Sequence, residues 1–284
     1  MLDGQKPKLL EQLRNEIKRR NYSIRTERAY ADWVKRFIFY HDKRHPKDMG
    51  APEVQEFLTY LAVERNVSAS TQNQALCALV FLYRQILNME LGILDNLQRA
   101  KRPALVPVVL TREEVKALMA HLAGSHWMRA QLMYGSGMRL MECVRLRVKD
   151  IDFGYKEITV RQGKGHKDRY TLLSQSALDV LRDYWRAYRP SAWLFYGRDP
   201  ELPLSSASAQ QVYYQALAKS GVRRVGGIHT LRHCFATHLM ENGLDIYALQ
   251  RLMGHSGIKT TCTYMHVREE RLRQTVSPLD LLYR

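Results

Sequence analysis

The sequence has 284 residues, 45% of them hydrophobic and 10% aromatic, which is enough to build the cores of two domains. It carries 44 Lys+Arg against 28 Asp+Glu, a formal net charge of +16, and such an excess favours a polyanionic partner. No stretch approaches the ~20 apolar residues of a membrane-spanning helix, and the N-terminus lacks a secretory apolar segment. We therefore expect nucleic acid, and not a membrane, as that partner.

The four cysteines (Cys77, Cys143, Cys234 and Cys262) are far apart and form no C-x-x-C pair. This spacing suggests neither a disulfide framework nor a thiolate zinc site. We expect a reduced, cytoplasmic protein.

The first ninety residues predict four helices. Two of them cover residues 7–20 and 24–41, and the others fall in "APEVQEFLTYLAVER" and "SASTQNQALCALVFLYRQIL". The second helix repeats apolar residues at helical spacing along one face, namely Tyr30, Trp33, Val34, Phe37 and Ile38. We predict a small all-helical domain over residues 1–95.

A linker is predicted over residues 96–108, where two prolines and several basic residues interrupt the helical period. It could cross a phosphate backbone or simply be solvated. Thr111 and Glu114 then form a capping box that opens the next helix. The second domain is predicted to cover residues 109–284.

The second domain begins with helices, and a hairpin follows in which "KEITVRQ" and "RYTLLS" flank the glycine-containing turn "GKGHKD". The pattern then returns to helices. The sequence as a whole predicts a mostly α fold with a small β-sheet, of the α+β class.

Two basic residues of this domain lie next to glycines. In "YGSGMRLMECVRL", two glycines precede Arg139, and Glu142 follows one helical turn later. An arginine after such a turn can direct its guanidinium at an anion, although a plain surface arginine is the alternative. Lys164 lies at the tip of the hairpin, where it is either a solvated turn residue or a proton donor that reaches into a site.

The stretch "IHTLRHCFATHLMENG" places His229 and Arg232 on one face at a helix start, where unpaired N–H groups also attract phosphate. His229 and His233 have the i, i+4 spacing of zinc ligands. The glutamate of H-E-x-x-H is absent, however, and Arg232 lies between the histidines. We predict no metal site, a functional His229 and a structural His233.

The last stretch, "GHSGIKTTCTYMHVREE", contains His255 nine residues before Tyr264. With the residues above it completes a set of two arginines, a lysine, two histidines and a tyrosine. No acidic cluster for Mg²⁺ and no P-loop accompany them in the sequence. The set suits phosphoryl transfer without a metal or cofactor: arginines neutralise phosphate oxygens, histidines and lysine move protons, and tyrosine attacks.

The order Arg…Lys…His-x-x-Arg…His…Tyr resembles the hallmark of the tyrosine recombinase (phage integrase) family, over essentially the whole chain. The resemblance implies a SAM-like core-binding domain followed by the catalytic domain. It also implies that Arg139 and Arg232 hold the scissile phosphate while Tyr264 forms a 3′-phosphotyrosyl bond. The remaining implied roles are a structural carboxylate at Glu142, protonation of the leaving 5′-oxygen by Lys164, acid–base relay at His229 and a phosphate hydrogen bond from His255.

Within that family, "ERAYADWVKRFIFYHDKRHP" and "RLMECVRLRVKDIDF" look most like integron integrases. Those enzymes have an extra helical insertion between the hairpin lysine and the His-x-x-Arg helix. Here Lys164 and His229 are only 65 positions apart, which leaves no room for it. We therefore expect double-stranded DNA sites with two inverted binding arms.

The apolar tail "RQTVSPLDLLYR" implies a homotetramer on DNA, assembled by exchange of this segment, although it could pack on its own domain instead. Integration or excision of a mobile element is the expected role. The alternatives are Xer-type resolution of replicon dimers, DNA relaxation like that of a type IB topoisomerase, and DNA binding without catalysis.

Overall fold

The computed structural model describes residues 7–91, 107–161, 168–224 and 226–268. The chain divides into two compact units, Met1–Ala104 and Leu105–Arg284. Almost all of the predicted linker, residues 96–108, lies outside the described residues, and its boundaries stay a prediction.

The first unit contains the four predicted helices: α1 (Leu9–Arg19), α2 (Ile24–Tyr40), α3 (Ala51–Val63) and α4 (Ala69–Phe81). A π-helical turn, Leu82–Leu87, continues α4 and ends at Asn88 in the left-handed conformation. Serine side chains begin two of the helices, because Ser23 Oγ accepts from the Thr26 N–H at 3.1 Å and Ser68 Oγ accepts from the Thr71 N–H at 3.3 Å. Each bond satisfies one of the N–H groups that a helix start leaves unpaired.

The core of this unit lies between α2 and the other helices. Phe37 of α2 is fully buried and meets Phe57 and Tyr83 edge-on. The Trp33 indole N–H donates to Gln74 Oε1 at 3.2 Å and so joins α2 to α4. The predicted apolar face of α2 is therefore the face that packs into the core.

The second unit is mostly helical. Its helices are α5 (Arg112–Ala120), α6 (Gly124–Ser136), α7 (Leu140–Val144), α8 (Gln175–Tyr188), α9 (Ser206–Lys219), α10 (Thr230–Glu241), α11 (Ile246–Met253) and α12 (Ile258–Thr261), and a 3-10 helix, Cys262–Arg268, follows α12. The predicted capping box opens α5: Thr111 Oγ1 accepts from the Glu114 N–H at 3.2 Å, and Glu114 Oε2 accepts from the Thr111 N–H at 2.8 Å.

A three-stranded antiparallel sheet interrupts the helices, in the order β1 (Ile151–Asp152), β2 (Glu157–Val160), β3 (Arg169–Leu172). Val160 pairs with Arg169 at the end of the hairpin nearest its tip. The predicted hairpin is confirmed, while the tip that contains Lys164 lies outside the described residues. The expected fold class, mostly α with a small β-sheet, is also confirmed.

The helix α10 runs through the core of the second unit, and nine of its twelve residues are buried. His238 on this helix is bonded through Nδ1 to the Tyr134 hydroxyl of α6 at 2.9 Å and through Nε2 to the Leu110 carbonyl at 3.1 Å. These contacts fix α10 against its neighbours. Within the described ranges, no helix combines the length and the apolar character needed to cross a membrane.

Candidate active site

The first predicted arginine follows a sharp turn at the end of α6. Gly137 there has a φ of +64°, and a Cβ at this position would collide with the Phe235 ring, so only glycine fits without strain. Arg139 comes two residues later as the N-cap of α7. Its guanidinium donates from Nη1 to Glu142 Oε1 at 2.7 Å and from Nη2 to the Gly254 carbonyl at 3.3 Å. The glycine turn thus places this arginine between α7 and the end of α11.

The carboxylate of Glu142 connects two arginines. It accepts from the backbone N–H of Arg139 at 2.8 Å, and it receives two parallel bonds from Arg169, at 3.0 and 2.8 Å. Burial alone would raise the pKa of Glu142, but the hydrogen bonds and charge of Arg169, together with those of Arg139, outweigh it and lower the pKa to about 2. Glu142 is therefore ionised and holds the Arg139 side chain in place.

Arg169, the first residue of β3, is a part of this cluster that sequence reasoning missed. Besides its bonds to Glu142, its Nε donates to the Leu252 carbonyl at 3.0 Å. The sequence feature that could have identified it is its position directly after the "GKGHKD" turn, opposite the end of the preceding strand. The pairing with Glu142 spans 27 residues, so no local pattern showed it.

The second predicted arginine, Arg232, is 5% exposed. Its Nη1 donates to the Gly137 carbonyl, and its Nη2 donates to the Met253 carbonyl at 2.6 Å. Burial, reinforced by the nearby charge of Arg139, lowers the pKa of Arg232 to about 9, so it is still a cation at neutral pH. These bonds fix the plane of the guanidinium at the point where α6, α10 and α11 meet.

His255 contacts Arg232 directly. The Arg232 Nη2 donates to His255 Nε2 at 3.1 Å, and His255 Nδ1 is 2.9 Å from Thr261 Oγ1. Arginine has no acceptor, so Nε2 must be unprotonated, and the imidazole proton then lies on Nδ1 and is donated to Thr261. His255 is thus oriented as a neutral imidazole beside a buried cation.

His229 lies at the N-cap of α10, and its side chain reaches solvent. Desolvation by the surrounding protein lowers the pKa of its imidazole, and the charges of Arg232 and Arg139 lower it further. At neutral pH it is uncharged, in the protonation state that accepts a proton.

Tyr264 lies in the 3-10 helix Cys262–Arg268 and is 5% exposed. Its ring packs with a small apolar cluster that includes Phe235, Leu249 and Met253. Its hydroxyl is 2.8 Å from His233 Nδ1. Burial raises the pKa of Tyr264, and the charges of Arg232 and Arg139 oppose that shift in part. The resting side chain is therefore a neutral phenol next to a histidine.

The structure brings most of the predicted residues together. One bonded or closely packed group contains Arg139, Arg232, His255 and Glu142. The charges of its two arginines act to lower the pKa values of Tyr264 and His229. Lys164 lies outside the described residues.

His233 also has a partner within the site. The side chain is hydrogen-bonded, as expected of a structural histidine, but its partner is the hydroxyl of Tyr264 itself. No local pattern indicates this pairing, because 31 residues separate the two.

The cluster suits a phosphate diester better than a metal ion. Its charged members in the described part of the chain are three guanidiniums (Arg139, Arg169 and Arg232) and one carboxylate, Glu142, which leaves an excess of positive charge in a partly desolvated site. Among the described residues, no group of three His, Cys, Asp or Glu side chains is placed to hold a metal ion.

Comparison with known proteins gives a consistent result across both units. The model of the phage integrase family matches residues 108–271, and that of the phage integrase N-terminal SAM-like domain matches residues 9–93. An integrase/recombinase of Escherichia coli is 39% identical, with 97% of this chain and 94% of the relative covered. The tyrosine recombinase XerA of Thermococcus kodakarensis is 31% identical, with 96% of each chain covered.

Solved structures share the fold. The XerH recombinase in a post-cleavage complex with palindromic difH DNA has a TM-score of 0.72 and 22% identity, covering 95% of this chain and 85% of that one. A lambda integrase dimer bound to a COC′ core site has a TM-score of 0.71 and 19% identity, covering 89% and 95%. The chain therefore belongs to the phage integrase family and is a DNA-strand-transferring enzyme of the tyrosine recombinase type.

Proposed function

We propose that this enzyme cleaves and rejoins double-stranded DNA at specific sites and that Tyr264 becomes joined to the 3′-phosphate during the reaction. One observation carries the assignment to Tyr264. Tyr264 is buried beside the cluster in which Arg232 binds His255. The charges of Arg232 and Arg139 both lower the pKa of its hydroxyl. Family membership supports the reaction class, and this geometry supports the choice of nucleophile.

Two arginines are proposed to hold the phosphate. Arg232 has its plane fixed by two main-chain carbonyls, and Arg139 is fixed by Glu142. Because these bonds exist before DNA arrives, the cationic groups need little rearrangement when charge develops on the phosphate oxygens, which is how preorganised sites lower a barrier. Before DNA binds, His255 directs its proton to Thr261 and aligns the Arg232 guanidinium. We also assign it a hydrogen bond to the phosphate, which requires the tautomer with the proton on Nε2, in which the Thr261 hydroxyl donates to Nδ1.

Proton transfer to the leaving 5′-oxygen is assigned to Lys164, in accord with the family pattern. The neutral His229 at the start of α10 is assigned an acid–base relay. No nucleotide cofactor is needed in this scheme, since a phosphotyrosyl diester keeps the energy of the bond it replaces.

The DNA substrate is proposed to be a duplex with two inverted arms. The short separation of Lys164 from His229 leaves no room for an inserted helix that would grip extrahelical bases. The alignment with the Escherichia coli relative spans 316 positions including gaps, more than the 284 residues of this chain. That relative therefore contains residues that have no counterpart here. A homotetramer assembled by exchange of the C-terminal tail is proposed for the complex on DNA.

The biological role is proposed to be integration or excision of a mobile element. Xer-type resolution of replicon dimers is the second candidate, and the similarity to XerA supports it.

The test is covalent capture. Wild-type chain is incubated with a library of nicked duplexes of randomised sequence, protein is denatured, and DNA that stays with the protein is recovered. We expect recovery of discrete sequences by the wild type and none by Tyr264→Phe. Tyr134→Phe is the matched control, since Tyr134 is likewise a tyrosine whose hydroxyl is bonded to a histidine of α10. Adducts formed by Tyr264→Phe at the wild-type level would refute the assignment.

A further inference from the structure

The reaction assigned to Tyr264 requires an acceptor for the phenolic proton. Tyr264 is protonated at rest, since burial raises its pKa, and a neutral phenol is a weak nucleophile. His233 Nδ1 is 2.8 Å from the hydroxyl oxygen, and the two rings are 5.9 Å apart between centroids at an angle of 44°. This distance is within the reach of direct proton transfer.

We propose that His233 is the general base for Tyr264, an assignment that rests on the proposed attack by that tyrosine. As the Tyr264 oxygen bonds to phosphorus, its O–H bond breaks and the proton moves to His233 Nδ1. The bond from phosphorus to the 5′-oxygen breaks in the same step, and that oxygen takes a proton from the general acid. When the strands are rejoined, His233 returns its proton to the departing tyrosine oxygen.

The protonation state of His233 suits this role. A tyrosine hydroxyl that donates to Nδ1 requires the tautomer with its proton on Nε2, so Nδ1 has a free lone pair. Burial lowers the pKa of His233, and His229 and Arg232 on the same helix lower it further. Among the described residues, the titratable groups that act on or contact the imidazole are His229 at the N-cap of α10, Arg232 in α10 and Tyr264 in the 3-10 helix. At neutral pH His233 is an uncharged acceptor.

Two nearby arginines also stabilise the Tyr264 oxygen after it has given up its proton. Arg232 and Arg139 both lower the pKa of Tyr264 against the effect of burial. Negative charge on the attacking oxygen is therefore stabilised where it develops. A bound phosphate diester would add negative charge beside Arg232 and would make protonation of His233 easier.

The helix α10 also offers an internal comparison. His238 Nδ1 is 2.9 Å from the Tyr134 hydroxyl, nearly the distance found between His233 and Tyr264. The His238 pair lies near Arg112, Glu113 and Glu241, away from the arginine cluster, and the Leu110 carbonyl holds its other ring nitrogen. A histidine–tyrosine bond on this helix can thus be structural, and the two pairs can be tested against each other.

The experiment measures the single-turnover rate of adduct formation on a nicked duplex recovered by covalent capture with the wild-type chain. His233→Gln keeps a hydrogen-bond acceptor near the hydroxyl but cannot take its proton. We expect this variant to bind the duplex like the wild type and to cleave it roughly 10²- to 10⁴-fold more slowly, the usual contribution of a general base. His238→Gln removes the comparison pair. It is expected to lower the melting temperature and to leave the cleavage rate of the folded protein near that of the wild type.

Two further measurements distinguish a general base from a residue that only holds Tyr264 in position. His233→Ala should regain activity when imidazoles are added, with more basic imidazoles giving faster cleavage. At acidic pH the wild-type cleavage rate should fall as His233 becomes protonated. This fall should be absent from the pH–rate profile of His233→Gln.

Three results would overturn the proposal. They are a His233→Gln variant that cleaves as fast as the wild type, one that cleaves faster because the bond restrains Tyr264, and a folded His233→Ala variant that imidazoles do not rescue. Failure of the wild type to form any adduct at Tyr264 would refute the proposed function itself, and so the two failures are distinguishable.

Discussion

The guanidinium of Arg169 meets the carboxylate of Glu142 in two parallel hydrogen bonds, Nη1 to Oε1 at 3.0 Å and Nη2 to Oε2 at 2.8 Å. The same carboxylate holds the backbone and the guanidinium of Arg139. Arg169 begins β3, and Arg139 caps α7. One ion-pair network therefore connects the sheet to the arginine proposed to bind phosphate.

Removal of Arg169 should be costly. Arg169→Met leaves the buried Glu142 with only part of its compensation, and breaking a buried pair in this way costs about 3–5 kcal/mol. The free energy of unfolding in urea measures it. Arg182→Met is the control, since Arg182 pairs with Asp179 on an exposed helix face, where such a pair contributes about 1 kcal/mol or less. Equal losses in both variants would contradict a supporting role for Arg169.

The stability of the fold should fall in acid because of Glu142. Its pKa of about 2 lies below the ordinary value of 4.5, so its stabilising effect is complete above pH 4.5 and is lost as the pH falls toward 2. The shift corresponds to about 3 kcal/mol over that range. In Glu142→Gln this contribution is absent, and the difference in unfolding free energy between wild type and variant should narrow from pH 5 to pH 2.5. A constant difference would show that other groups set the acid response.

Arg129 offers a stabilising substitution. Its side chain is 2% exposed in the core of the second unit, near the Phe195 ring. Its Nη2 is bonded to His126 Nδ1, while its Nη1 has no hydrogen-bond partner among the residues that the structure describes. Burial lowers its pKa, a sign that the charge is poorly compensated there. Arg129→Met keeps a similar shape, and we expect a gain of about 1–4 kcal/mol with cleavage unchanged. A large loss of unfolding free energy would mean that the cation is needed in the core.

Cleavage should continue in excess EDTA. The charge on the phosphate is to be met by Arg139 and Arg232, which are fixed by contacts within the protein. The rate of adduct formation is measured with EDTA and with added Mg²⁺. Complete loss in EDTA, with recovery on addition of Mg²⁺, would contradict the metal-free reaction.

Local rules explain which parts of the fold could be predicted. The capping box at Thr111 and the hairpin depend on neighbouring residues, and both are present in the structure. The fifth helix begins where Thr111 and Glu114 satisfy each other, and the strands pair across a glycine turn. Such features need no knowledge of the rest of the chain.

The contacts that complete the site join residues far apart in the chain. His233 and Tyr264 are 31 residues apart and meet only because the 3-10 helix packs along α10. Arg169 and Glu142 are 27 residues apart, and they meet because the start of β3, where Arg169 pairs with Val160, lies beside Glu142. The chemistry of the set could be predicted from residue types and order, whereas the partners that orient it depend on tertiary packing.

Identification of the residue that carries the DNA is the most direct test of the account. Adducts captured with the wild-type chain are digested with nuclease and protease, and the peptide that retains a nucleotide is sequenced by mass spectrometry. We predict a 3′-nucleotide on the peptide that contains Tyr264, attached to its phenolic oxygen. Attachment to another tyrosine, such as the exposed Tyr247, or to any other residue would contradict the account.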